Sequence, residues 1–462
     1  MAGAVAADIE LAEMLGAGFR GRMIGTEDSD YDTARKLYNA MIDKKPRLIA
    51  QCVDAADVIA AVNVARETGL DVAVRCGAHN GPGLGSVDDG LVIDLSALRG
   101  VIVDPDARIA HVLGGTLLGE VDHATQPFGL AAPFGIISTT GVGGLTLGGG
   151  VGHMTRKLGL SIDNLAEADV VLADGSFVTA NEKQHPDLFW ALRGGGGNFG
   201  VVTRFAFRLS PLSTVLAGPT LWPLERSAEI LSWYREFISK APEELNGFFA
   251  FLTVPPGPPF PEELHLQKMC GVVWCWSGEA GEADSALAEA RELQPVLDGI
   301  QPMPLSVLNS AFDALYPHGD QWYWRADVVT DIPDEAVAEH VRFGEALPTW
   351  KSTMHLYPID GAAARVGADE TAWTARNGGW VQVMVGVDPE PENRDLVTDW
   401  CVSYWEALHP YSAGGSYVNM MMEEGEDRVR ASYGANYDRL AQVKAEYDPG
   451  NLFHVNQNIK PA

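Results

Sequence analysis

The chain has 462 residues, 46% of them hydrophobic and 21% charged, a globular balance at a length that calls for two domains rather than one core. Its formal net charge of −29 argues against nucleic acid as a partner, because that requires Lys and Arg to displace counterions, and against an anionic membrane surface. Five scattered cysteines, an N-terminus without a basic region ahead of an apolar stretch, and no apolar run of about 18 residues lead us to expect a cytoplasmic protein with no disulfide framework.

Residues 8–45 read as a short helical lead-in followed by a polar connector. Pro46 to Cys52 reads as a strand, and Asp54 caps a helix over Ala55 to Glu67 with Val58, Ala61, Val62 and Ala65 on one face and Gly69 as its stop. A strand-like run, Asp71 to Val74, enters a loop from Val74 to Gly85 that has four glycines, Gly77, Gly81, Gly83 and Gly85, and one proline. A second strand-like run, Leu91 to Leu95, follows. So glycine-dense a loop leaves backbone N–H groups free to cradle phosphate, with His79 at its tip. Ile102-Val103 and Ile109 to Val112 read as strands, and Leu117 to Gln126 returns to helical spacing.

Gly141 to Gly152 holds seven glycines in twelve positions. This density reads as a second loop lying against a flat or charged ligand rather than as core, so the two loops together imply one large ligand. Beyond it, Ala168 to Leu172 and Phe177 to Ala180 flank the hairpin signal Asp174-Gly175, Pro186 to Leu192 is a short helix, and Val201 to Leu209 a strand. The segment Gly194 to Gly200 contains a literal GxGxxG. A dinucleotide fingerprint must follow a strand and open a helix, and here a helix precedes and a strand follows, so that reading is refused. From Pro211 the texture changes to Trp, Pro and acidic helices. Strand-like runs at 248–252, 271–274, 353–357 and 380–385 alternate with helices at 226–240 and 333–347, which predicts a separate antiparallel sheet backed by helices. A helix over Tyr437 to Tyr447 and a terminal loop close the chain.

The motifs Arg75-x-Gly77-x-His79, the glycine run to Gly152, Arg156-Lys157-x-Gly159-Leu160-x-x-Asp163-Asn164, Arg193 to Thr203, Tyr447 to Phe453 and Asn456 to Ile459 resemble, in the same order, the FAD-linked oxidases of the vanillyl-alcohol oxidase superfamily and its berberine-bridge-enzyme-like branch. That resemblance implies an α+β fold: a two-part PCMH-type FAD-binding domain (1–208, with 416–462 returning to it) and a substrate domain over 209–415. It also implies a flavin-dependent oxidase that takes a hydride from an alcohol, sugar or amine and passes the electrons to dioxygen, with His79 as covalent flavin ligand. Doubly linked relatives carry a second attachment through cysteine, where this chain has Ile137, and Leu145 replaces their supporting histidine. The likeness is therefore to bacterial members linked through histidine alone, the 6-hydroxynicotine oxidase type. The cofactor contacts so implied are Arg75, Cys76, Gly77, Ala78, His79, Asn80, Gly81, Leu84, Gly85, Ser138, Thr139, Thr140, Gly141, Gly143, Gly144, Gly149, Gly150, Gly152, His153, Asn164, Gly200, Val201, Val202, Asn456 and Asn458.

Thr140 stands where the family sets oxygen access, although an ordinary β-branched loop residue is the rival reading. Tyr323 to Arg325, Trp380 to Gln382 and Tyr417 to Met420 match segments that line the family's substrate cavity, which predicts an aromatic site for a flat or ring-shaped molecule. Met420 replaces the catalytic tyrosine of many members. This leaves Tyr417, Gln382, Arg325 and Glu423 as polar candidates, with Tyr417 as base if Arg325 lowers its pKa, and packing or solvation as the rival role for each. Two other functional readings stay open, a dehydrogenase of the same fold using another electron acceptor and a flavin-bearing binding protein. No metal-binding spacing is present, and oligomeric state is not expressed in the sequence.

Overall fold

The computed structural model describes residues 11–462; the first residues of the expected helical lead-in lie outside them, and 11–15 are helical. The N-terminal part is built on a four-stranded sheet in the order Arg22–Gly25, Leu48–Gln51, Leu91–Asp94, Val72–Arg75. Its last three strands are parallel, and parallel neighbours need a crossover, supplied by the helix Ala55–Thr68. That helix starts where the Asp54 carboxylate accepts the Asp57 N–H (3.0 Å) and ends at Gly69, whose φ of 66° is left-handed. Val58, Ala61, Val62 and Ala65 are fully buried, as the spacing predicts. The strand Arg22–Gly25 is an addition, paired antiparallel inside what reads in the sequence as a connector.

A five-stranded antiparallel sheet follows, ordered Val101–Asp104, Ile109–Leu113, Val201–Arg208, Leu165–Val171, Phe177–Asn181. The hairpin at Asp174-Gly175 forms as expected, with Gly175 at φ 83°. The second glycine run departs from the loop reading. Val142–Leu147 is a short helix with Val142 fully buried, and only Gly149 and Gly150 in this run take left-handed φ. Its early glycines serve close approach instead of backbone freedom: a Cβ on Gly141 would lie 2.3 Å from Cys76 Sγ, and one on Gly143 3.2 Å from Gly114 O.

The third sheet is antiparallel and eight-stranded. Its main path runs Leu297–Asp298, Thr214–Pro223, Lys268–Trp276, Leu245–Thr253, Thr353–Pro358, Trp380–Asp388, Gln321–Val329, and Gln301–Pro304 also pairs with Thr214–Pro223. Thr214–Pro223 escapes a sequence reading because Gly218 and Pro219 break its pattern; Gly218 is required where a Cβ would lie 2.1 Å from Gly299 O. Alternation gives the sheet two apolar faces. Trp274, Phe249, Phe251, Met354, Leu356, Trp380 and Met384 pack with residues of helices Ser227–Lys240, Asp334–Glu345 and Arg394–Leu408. Phe248, Ala250, Trp322, Trp324, Val381, Val383 and Val385 turn the other way and pack with Tyr38, Leu160 and Tyr417. Loops of the N-terminal part and of the C-terminal segment thus pack on the inner face of the large sheet, and the site lies between them.

Buried ion pairs fix that meeting. The Arg156 guanidinium, 2% exposed, donates to Asp360 (2.5 Å) and to the carbonyls of Ala241, Pro242 and Leu245. Arg376 forks onto both oxygens of Asp163 at 2.7 and 2.8 Å. At the C-terminus, Lys444 and Asp448, both wholly buried, hold each other at 2.7 Å after the helix Tyr437–Tyr447. Lys444 also donates to Asn198 O, and the Asn198 side chain bonds Gly195 O, Gln457 O and Ile459 N. The terminal Asn456-to-Ile459 motif is therefore tied to the Gly194-to-Gly200 turn.

Candidate active site

One continuous cavity of about 320 Å³ lies between the sheets, walled by both glycine segments, by the Gly196–Gly200 turn and by the inner face of the large sheet. On its N-terminal wall the N–H groups of Ala78, His79, Asn80 and Gly81 donate to no backbone acceptor among the described residues. Ala78 has φ 59°, and a left-handed residue in such a run turns successive N–H groups toward one side, a concavity suited to an anion. Beside it Arg75 bonds Asp94 at 2.6 Å through Nη2, while its Nη1 is buried without a partner. That donor suits an anionic group entering the cavity. Gly144, in the helix Val142–Leu147, faces open space: a Cβ there would meet nothing within 4 Å.

His79 is held from several sides. Thr139 Oγ1 lies 3.1 Å from its Nε2 and Thr140 Oγ1 3.5 Å from its Nδ1. The Tyr38 ring stacks on the imidazole with centroids 3.8 Å apart, and His318 meets it edge-on at 5.4 Å. Tyr38 is itself anchored, its N–H on Ala78 O (3.1 Å) and its hydroxyl on Tyr316 O (2.7 Å). Burial, with a smaller contribution from His318, drops the His79 pKa to about 3, so the ring is neutral and nucleophilic at physiological pH. Burial pushes the neighbouring Cys76 thiol up to about 11, which keeps it protonated.

Of the residues expected at the cofactor, Arg75, Cys76, Gly77, Ala78, His79, Asn80, Leu84, Gly85, Thr140, Gly141, Gly143, Gly144, Gly200, Val202 and Asn456 line the cavity. Thr139 reaches it through His79. The others stand back from it. Gly81 packs under Trp324, and the Ser138 N–H donates to Asp313 (2.9 Å). Gly149 and Gly150 pack near Tyr417, Gly152 abuts Phe134 O, and Val201 is core. Asn164 spends its amide on Leu158 O and Leu160 O, which makes it a loop brace. His153 is 1% exposed with neither ring nitrogen bonded, and the Asn458 carbonyl oxygen is likewise buried and unpartnered.

The substrate-side candidates need correction. Gln382 is 1% exposed and off the cavity, because its strand neighbour Val383 takes the inward position. Arg325 is outward for the same reason: Trp322 and Trp324 line the cavity, while Arg325 pairs with Glu424 at 2.8 Å and lies over the Trp405 ring. Glu423 is exposed. Tyr417 does line the cavity, but with Arg325 engaged elsewhere its pKa is raised by burial, not lowered. Its hydroxyl oxygen accepts from Gly150 N–H (3.0 Å) and from the Asn419 amide (2.9 Å), which pins the Gly148–Gly152 segment.

The sequence reading passed over Tyr38, Tyr316, Trp322, His355 and Tyr357, all of which line the cavity. His355 and Tyr357 were legible in principle, since residues two apart on a strand share a face. Tyr38 was not, because its segment has no periodicity and reaches His79 only through tertiary packing.

A cavity with a row of free N–H donors, an unpartnered guanidinium arm and a neutral histidine at its edge defines a site for an anionic cofactor beside an aromatic chamber. The comparisons specify which. Residues 46–181 match the family described as FAD binding domain, and 416–460 that described as Berberine and berberine like. The chain is 38% identical over 474 residues to (R)-6-hydroxynicotine oxidase of Paenarthrobacter nicotinovorans, covering 96% of this chain and 97% of that protein. It is 28% identical to xylooligosaccharide oxidase of Thermothelomyces thermophilus, with 94% and 91% covered. The crystal structure of 6-hydroxy-D-nicotine oxidase from Arthrobacter nicotinovorans superposes with a TM-score of 0.86 at 25% identity, over 96% of this chain and 99% of that one. The chain belongs to the berberine-bridge-enzyme-like family of FAD-linked oxidoreductases. Its own groups fit the cofactor: the N–H concavity and Arg75 Nη1 suit the diphosphate, the open space at Gly144 leaves room for the body of the molecule, and His79 stands at the edge.

Proposed function

We propose that this enzyme is an oxidase that takes a hydride from an alcohol or amine C–H, holds FAD covalently through His79 alone, and returns the electrons to dioxygen to give hydrogen peroxide. When bound, the flavin supplies a two-electron acceptor for the hydride and a site for reoxidation. The observation that carries the reading is His79: neutral, stacked on Tyr38 and bracketed by Thr139 and Thr140, it is positioned as a nucleophile at the cavity wall. Ile137 lines the cavity where doubly linked relatives have cysteine, and the Cys76 thiol is protonated, so neither offers a second linkage.

The rest of the wall selects the substrate. Trp322, Trp324, Tyr316, Val383, Val385 and Met420 are aromatic or aliphatic, and no Asp, Glu, Lys or Arg joins them on the sheet side. A charged substrate would lose its hydration there without a partner, so an uncharged, ring-shaped molecule fits best. Thr140 lines the cavity, and a side chain of that size at the flavin would let oxygen approach. The test is stopped-flow mixing of the substrate-reduced enzyme with oxygenated buffer, with peroxide measured in parallel across a panel of cyclic alcohols, amines and sugars. Rapid reoxidation with one peroxide per turnover supports the reading; reduced enzyme that persists in oxygen and is discharged only by a quinone or dye makes the protein a dehydrogenase.

A further inference from the structure

Where the inner face of the large sheet lines the cavity, its polar side chains are Thr353, His355 and Tyr357 on one strand. His355 and Tyr357, both on the strand Thr353–Pro358, line the cavity, and His355 Nδ1 lies 2.6 Å from the Tyr357 hydroxyl. In register beside His355 stand Val383 and Ala250, and Phe248 packs against both members of the pair, with ring centroids 5.0 Å from each. A polar pair in such surroundings is stabilised chiefly by its own hydrogen bond, and burying it costs more than two apolar side chains would. Nε2 of His355 makes no hydrogen bond among the described residues, and its ring lines the cavity. The other polar groups nearby are committed: Tyr417 to Gly150 and Asn419, and Thr353 to Phe251 O.

We propose that His355 is the catalytic proton acceptor in the oxidation of an alcohol, taking the substrate's O–H proton on Nε2, and that Tyr357 is its positioning residue, accepting the Nδ1–H bond that fixes this tautomer. The proposal rests on the reading of the chain as a hydride-abstracting oxidoreductase. The substrate C–H bond breaks with its electron pair leaving as hydride, for which the flavin would be the acceptor, the O–H bond breaks toward Nε2, and the C–O bond becomes double. The product is a carbonyl compound, and the imidazolium later returns its proton to solvent. Burial holds the His355 pKa near about 3, which keeps the lone pair available throughout the neutral range. So weak a base is sufficient here, because a hydroxyl losing hydride from its own carbon becomes a strongly acidic protonated carbonyl. Tyr357, its pKa raised by burial and by Tyr316 and Tyr417, stays a neutral phenol and does not compete as base.

Two measurements test this, and only one depends on a substrate. In protein labelled with 15N-histidine, the ring shifts of His355, assigned by their loss in His355→Gln, should show a neutral imidazole with Nδ1 protonated and Nε2 bare at pH 7. A doubly protonated ring, or a proton on Nε2 alone, overturns the proposal. With a substrate that reduces the wild type under anaerobic conditions, His355→Ala should slow flavin reduction by roughly 10²–10⁴, with KM and flavin content close to wild type. Tyr357→Phe should slow it less and move the ring toward a mixture of tautomers. If wild type is reduced and His355→Ala is reduced equally fast, His355 is packing and the proposal is wrong. If no alcohol or amine reduces the wild type, it is the oxidase reading that fails, while the 15N spectrum still decides the tautomer.

Discussion

The proposed attachment of the flavin through His79 would have a pH dependence set by that residue's environment. A free imidazole has a pKa near 6.5, so at pH 5 only about 3% of it is the neutral nucleophile, against about 90% at pH 7.5. In this site burial and His318 place the pKa at about 3. The shift is downward, so the neutral form is populated above about pH 3 and is lost only as pH falls through that value. An attachment rate limited by neutral imidazole would therefore drop roughly thirtyfold between pH 7.5 and pH 5 for an unperturbed ring, and should change less than about twofold here. The assay mixes apoprotein with FAD at each pH, quenches in acid and reads in-gel flavin fluorescence of the denatured chain. A profile flat from pH 5 to 8 is expected. A sigmoid with its midpoint near 6.5 would show that His79 is solvated when it attacks, and would remove the physical basis for its activation.

Four further outcomes are expected. Gly144→Leu puts a side chain into open cavity space within the helix Val142–Leu147, so the apoprotein should melt at or above the wild-type temperature while retaining little flavin. Lys444→Met leaves Asp448 buried with only the Leu452 and Phe453 N–H groups, and should cost about 3–5 kcal/mol in urea unfolding. Thr140→Leu adds bulk at the cavity wall, and should slow reoxidation by oxygen while anaerobic reduction stays near wild type; equal slowing of both would mean a distorted loop. Tyr417→Phe strands the Gly150 N–H and leaves the Asn419 amide its bond to Leu145 O alone, and should cost about 1–3 kcal/mol of stability while slowing anaerobic reduction far less than His355→Ala does.

What the sequence expresses and what it hides divide along physical lines. Local chemistry was legible: Asp54 and Gly69 bound their helix, Asp174-Gly175 makes its hairpin, and the His79 loop lies between its two strands. Each of those signals is carried by a few adjacent residues. The two misplaced substrate-side candidates failed by strand parity. Gln382 and Arg325 sit one position from Val383 and Trp324, and a shift of one residue exchanges the faces of a strand. The glycine run was misread because density alone does not separate a loop from a helix that needs close contact, and only the positions of Cys76 and Gly114 show which applies. Tyr38 and His318, which flank His79, come from segments whose link to it exists only in the folded chain.

The central claim is that His79 alone carries the flavin. Purified protein is precipitated with acid, digested, and its peptides mapped by mass spectrometry with flavin fluorescence detection. The account predicts a yellow pellet, with the flavin mass on the Arg75–Gly85 loop, located at His79 and on no other peptide. Flavin released wholly into the acid supernatant, or found on Cys76, would contradict it.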